Sequence, residues 1–205
     1  PPSLALLVAP LALRGPWPRR LAFAVLLGLG AALAVAPWTA RNCARLDACA
    51  LVSTNGGSNL LIGTFSDAHG GYRRPVAADG CEEVRGEVAR DRCMSARARQ
   101  RIAARPGAWL VNSAWKLAIT FGWEHDPVSY LAPWALARRA SPGALAAVAL
   151  CTLTWWALVA FALRGARAAR DNPVTRAVAV AALGLVATHA LFLGADRYHL
   201  VLAPL

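Results

Sequence analysis

Charge is scarce in this chain, and lysine is scarcer still. Only 16% of the 205 residues are charged, and Lys116 is the single lysine beside 21 arginines. The sequence has no Walker loop, no G-x-G-x-x-G, no H-E-x-x-H and no G-x-S-x-G. Those absences remove the nucleotide-cradling, zinc-protease and nucleophile-elbow classes that depend on them. No C-x-x-C pair is present either, so zinc lacks its commonest ligand spacing. The formal net charge of +11 raises the question of nucleic acid. The arginines, however, sit at the ends of apolar blocks and in one long loop, not in an aromatic-interleaved patch or a recognition motif, and a nucleic-acid partner is excluded on that ground.

What is abundant is apolar sequence, 57% of the chain, gathered into uninterrupted blocks. Leu21 to Trp38 is an uncharged stretch of 18 residues, Gly143 to Leu163 one of 21, and Ala177 to Ala195 one of 19. Each approaches the ~20 residues that cross a bilayer as a helix. The expected fold class is therefore all-α, a polytopic helical membrane protein with spans at 21–38, 143–163 and 177–195 in one membrane domain. The first span lies behind another apolar run, Leu4 to Leu13, and lacks a small-residue cleavage site, which argues against a signal peptide. With no initiator Met and a first run that looks like a helix cut mid-way, the chain reads as part of a longer protein.

Arginine placement gives the expected sidedness. Arg14, Arg19 and Arg20 precede the first span, and Arg164, Arg167, Arg170 and Arg176 fill the connection between the second and third; both groups are cytoplasmic by the positive-inside rule. Residues 39–142 then form a periplasmic loop with interfacial helices. Within it, Trp109 to Trp123 contains Asn112 and Lys116 and reads as an interfacial or re-entrant helix, with Trp109, Trp115 and Trp123 at headgroup depth. Val84, Val88, Met94, Ala98 and Ile102 share one arc of a helical wheel, and Pro106-Gly107 supplies a stop. An amphipathic helix lying on the membrane is expected there, its apolar face interrupted by Glu87 and Asp91.

Four of the five cysteines, Cys43, Cys49, Cys81 and Cys93, fall in the loop assigned to the oxidising side, and an even count there points to disulfides. Of the three pairings, Cys43 with Cys49 and Cys81 with Cys93 is favoured, zinc being the competitor. Twelve residues of continuous helix would hold Cys81 and Cys93 ~18 Å apart. A bridge tolerates no more than ~7 Å between Cα atoms. The second pair therefore requires the chain to fold back between them, and Gly86 is the expected place.

Polar groups recur at the expected outer face: Pro37-Trp38-Thr39-Ala40-Arg41-Asn42, then Ser53 to Gly63 (STNGGSNLLIG), then His69-Gly70-Gly71-Tyr72-Arg73, and last Asp196-Arg197-Tyr198-His199-Leu200. In that order, with Lys116-Leu117 between the third group and the last, the series resembles the C-terminal half of bacterial GT-C glycosyltransferases, the protein-mannosyltransferase-like enzymes. The resemblance covers nearly the whole chain, and the STNGG block and the late Arg-Tyr pair are its most specific part. Where that family commonly has Pro soon after the Arg-Tyr pair, this chain carries Val201.

The resemblance implies an inverting hexosyltransferase of the cell envelope, in a bacterial cytoplasmic (inner) membrane with its active face periplasmic. Its donor would be a polyprenyl-phosphate sugar, and its acceptor an extracytoplasmic lipid, glycan or protein. The family's catalytic carboxylate lies in the first outer loop, upstream of the matching half, so no catalytic base is assigned among Asp67, Asp79 and Glu124, and the fragment alone is expected to be inactive. Arg41, Arg73 and Arg197 are the expected donor-phosphate ligands, since the planar guanidinium fork suits phosphate. Asn55, Asn59, His69, Tyr72, Tyr198 and His199 are the expected substrate-binding residues. No metal ligands and no certain cofactor are assigned, a divalent ion being left open. His189, inside a span, reads as an interhelical polar group. The alternative is a non-catalytic polytopic membrane scaffold or subunit.

Overall fold

The computed structural model describes residue 10 and residues 15–124, 142–195, 197 and 198. Within them the chain is all-helical, with six α-helices and no strand. Helix α1 spans Trp17–Arg45, α2 Gly56–Ile62, α3 Glu87–Ala104, α4 Pro106–Phe121, α5 Pro142–Ala168 and α6 Pro173–Leu191. Four of them carry Pro within the first two positions, where its missing N–H is one the helix leaves unpaired anyway. Asn172 caps α6, its side-chain oxygen accepting from Val174 N–H at 2.8 Å.

Helices α1, α5 and α6 are long and apolar enough to cross a membrane, and the protein covers little of them. Leu33, Leu153 and Phe161 are each about 70% exposed or more, a density of bare apolar surface that lipid, not water, would solvate. The chain is thus built as a membrane protein. Each helix overshoots its apolar block, except at one point: the third block runs to Ala195, but α6 stops at Leu191. The reason is local. Gly194 turns over the backbone of α4, where a Cβ would stand 2.3 Å from Lys116 O, and its N–H donates to Gly70 O at 2.9 Å.

The segment between α1 and α4 has its own small core. Leu61, Ile62, Phe65, Ala98 and Leu193 are buried together, with Met94 and Tyr198 against them. The apolar arc of α3 packs into the protein: Val88 and Ala98 are buried, and Ala98 and Met94 meet Leu61 and Ile62 of α2 and Phe65. The two carboxylates that interrupt that face hold its neighbours. Asp91 accepts from Gly57 N–H at 2.7 Å and Ser58 N–H at 3.3 Å, capping α2 from outside, and Glu87 accepts from the Thr54 hydroxyl. Gly57 is obligatory at this crossing, since a Cβ would come within 1.9 Å of Asp91 O.

The Trp38-Thr39-Ala40-Arg41-Asn42 motif closes a loop. Trp38 Nε1 donates to Val52 O at 2.7 Å, Thr39 Oγ1 to Leu51 O at 2.5 Å and Asn42 Nδ2 to Ala50 O at 3.0 Å. Three side chains on the last turns of α1 thereby satisfy three successive carbonyls of the returning segment. The Cys43–Cys49 disulfide ties the same loop, with Cα atoms 4.1 Å apart. Asp47, in that loop, accepts from Val88 and Ala89 N–H at 2.9 and 3.0 Å and so caps α3. These N–H groups, that of Val88 foremost, hold its carboxyl below the usual range. The Cys81–Cys93 disulfide spans 5.8 Å between Cα atoms because α3 begins only at Glu87, after Gly86 at φ +91°.

Candidate functional site

Helix α4 is polar inside and apolar outside. Asn112, Ser113, Lys116 and Thr120 are buried while Leu110, Val111 and Trp115 are exposed. The spacing of 112, 116 and 120 puts those three on one face of the helix. Asn112 Nδ2 donates to Gly63 O at 2.9 Å, and Lys116 Nζ donates to Ala190 O and Leu191 O at 3.1 and 3.0 Å. Those last two carbonyls belong to the open C-terminal end of α6, where a cation is favoured. Burial nevertheless pulls the Lys116 amine down to about 8. Glycines let three backbones meet here: a Cβ at Gly70 would stand 2.4 Å from Lys116 N, and one at Gly63 would overlap Phe192 O.

With its polar face turned inward, α4 offers its apolar face to a groove of about 800 Å³. Trp115 and Trp123 line one side, Trp156 of α5 another, and Leu193, Tyr72 and Arg197 complete it. The wall from α5 is fixed by two polar contacts at the end of α4. Trp156 Nε1 donates to Gly122 O at 3.3 Å, and Glu124 N–H donates to Thr152 Oγ1 at 3.0 Å.

Of the expected site residues that the structure describes, Tyr72 and Arg197 line this groove and the others do not. His69, in the left-handed region at φ +45°, stands edge-on to Trp115 with ring centroids 6.0 Å apart, at the groove's margin. Tyr198 is no open platform: it stacks on His189 at 4.6 Å and packs on the core, while the Arg197 guanidinium lies 5.1 Å over its ring. His189 Nδ1 is 3.1 Å from Leu193 O, so the pair braces the C-terminal segment. His199 and Asp196 lie outside the described residues. The three expected phosphate-binding arginines do not converge on this groove. Arg41 contacts Asn42 Oδ1 at 3.2 Å and covers the Trp38 ring, and Arg73 is paired with Asp79 and Asp67 beside a different hollow. Asn55 and Asn59 belong to the start of α2, where Asn55 O accepts from Asn59 N–H and the Ser58 hydroxyl.

Two residues of the site, Trp156 and Lys116, are not among the expected site residues. Trp156 gives no signal, being one apolar residue in an apolar block. Lys116 does give one: it is the sole lysine, four residues from Asn112 on an otherwise apolar helix. Among the described residues no three His, Cys, Asp or Glu side chains gather to hold a metal.

No family model, curated protein or solved structure matches this chain.

Proposed function

We propose that this chain is the C-terminal portion of a GT-C-type membrane glycosyltransferase, moving a sugar from a polyprenyl-phosphate carrier to an acceptor at the periplasmic face of a bacterial cytoplasmic membrane. The observation that carries this reading is the groove. An apolar trough walled by Trp115, Trp123 and Trp156, with Arg197 and Tyr72 on its lining, suits an amphiphile with an isoprenoid tail and a phosphate head. Arg197 would stabilise the phosphate as it leaves with the bond's electrons, and Tyr72, 67% exposed, would face the sugar. The acceptor-activating carboxylate would come from a part of the enzyme beyond these residues, and Arg41 and Arg73 have no part in this version of the site.

The test is turnover per folded molecule in membranes carrying the whole enzyme, supplied with polyprenyl-phosphate hexoses. Arg197→Ala is expected to lower turnover by ~10² to 10³, with Arg197→Lys recovering only part because an ammonium lacks the bidentate fork. Near-normal turnover in Arg197→Ala would remove the residue from the site.

A non-catalytic membrane subunit is the second reading. It is favoured by the work the motif residues do for the fold: Trp38, Thr39, Asn42, Gly57 and Gly63 all hold backbone in place.

A further inference from the structure

Arg73 and Arg101 reach the same place from different parts of the chain, one from the segment after Tyr72 and the other from the last turn of α3. Both are fixed independently of any ligand. Asp79, 7% exposed, accepts from Arg73 Nη2 at 3.0 and 3.1 Å and from Arg101 Nη2 at 2.8 Å. Both guanidiniums also lie over the buried ring of Phe65, 3.5 and 5.1 Å from its centroid. A guanidinium carries five N–H donors, so Arg101, with a single bond to Asp79, keeps most of its own unused. Arg105, the first residue past the end of α3, lines the same hollow. With Thr64, Ser66 and Trp109 these arginines wall a hollow of about 300 Å³ that shares no lining residue with the Trp115–Arg197 groove.

The charges there do not cancel. Three arginines face two carboxylates, Asp79 and the exposed Asp67, whose Oδ2 is 3.4 Å from Arg73 Nε. Asp79 already takes the place of a planar, two-oxygen acceptor for Arg73 and Arg101, and three arginines lining one hollow from three backbone positions suit the several oxygens of a tetrahedral anion. The Ser66 hydroxyl adds a neutral donor, and Trp109 an apolar surface for whatever carbon the anion is esterified to.

We propose that the Arg73–Arg101–Arg105 hollow is a phosphate-binding site, filled by the phosphate of an anionic lipid headgroup or of a soluble phosphate ester. This does not rest on the transferase reading, whose donor would lie in the other groove.

The test uses the purified chain in nanodiscs. In one arm the bilayer is phosphatidylcholine and glycerol 3-phosphate is titrated in by calorimetry. In the other, a minor fraction of phosphatidylglycerol is included and the lipid retained after gentle extraction is counted by native mass spectrometry. Saturable binding in the first arm alone identifies a soluble ester as the ligand source, and retention in the second alone a lipid. In whichever arm binds, Arg105→Gln is expected to weaken binding about tenfold, the loss of one charge-assisted contact. Asp67→Asn should strengthen it, because a like charge leaves the wall, and that gain is not expected of a merely structural role. Arg99→Gln, on the same helix but turned to Ser95, is the control and should change nothing. Absence of saturable binding in both arms overturns the proposal, as does an Arg99→Gln loss equal to that of Arg105→Gln.

Discussion

Lys116 is the residue whose chemistry differs most from its ordinary behaviour. Its amine has no exposed surface, and burial brings it from 10.5 to about 8. Between those two values the unfolded chain binds a proton that the folded chain does not. Stability therefore rises as pH climbs from about 8 to about 10.5 and is insensitive to this group below that interval. Thermal unfolding in detergent, compared between wild type and Lys116→Met across the interval, should show the wild type gaining relative to the variant; parallel curves would show that the amine keeps its ordinary affinity for protons. Asp79 behaves in the opposite sense. Burial pushes its carboxyl up, but the Val76 N–H and the Arg101 and Arg73 guanidiniums outweigh burial and leave it below its ordinary 3.8. Its contribution is complete above 3.8 and is lost as pH falls through the lower folded value. Asp79→Asn is expected to cost about 1–3 kcal/mol at neutral pH, the lower part of the range reflecting water around the two arginines. A neutral effect in the melting temperature would mean that the arginines find another counter-charge.

At the level of elements, glycines divide by what stands against them. Gly57 lies where α2 crosses α3, and Gly57→Ala is expected to destabilise by about 1–3 kcal/mol through the forced displacement of Asp91. Gly28, on α1, has nothing within 4 Å of the place a methyl group would take, so it should tolerate Ala and gain up to ~1 kcal/mol of helix propensity. Matching melts for the two variants would undo the account of the α2–α3 crossing. The same contrast explains how legible the sequence is. The long apolar blocks announce α1, α5 and α6 because span length is a property of composition alone. The arc Val88–Ala98 announces α3, but not what covers it, since periodicity reports a face and not its partner. Trp38, Thr39 and Asn42 are visible as a motif, yet their work is donating to carbonyls at 50–52, a contact that depends on how the loop returns. Convergence of Tyr72 with Arg197, and the turn of the adjacent Arg73 to a different hollow, is likewise tertiary and leaves no trace in spacing.

For the whole molecule, the sidedness inferred from the arginines is a prediction with a direct measurement. A cysteine introduced at Ser66 is expected to react with an impermeant maleimide in intact cells, and one at Arg167, between α5 and α6, only after permeabilisation. The reverse pattern would invert the membrane orientation. On the same topology, Cys43, Cys49, Cys81 and Cys93 are expected to be unavailable to alkylation under denaturing conditions until reductant is added, with Cys151 alone reactive. Four further free thiols before reduction would place the loop in a reducing compartment.

The amine of Lys116 on the last carbonyls of α6, Gly194 folded over its backbone and Gly70 pressed against its amide make a mechanical clamp. Helix α4, the Gly70–Tyr72 turn and the chain leading to Arg197 are gripped at a single point. Tyr72, two residues past Gly70, and Arg197, three past Gly194, are therefore both anchored to the same turn of α4. Trp156 is tied to the same helix through Gly122 O, so the facing walls of the groove share α4 as their common mount.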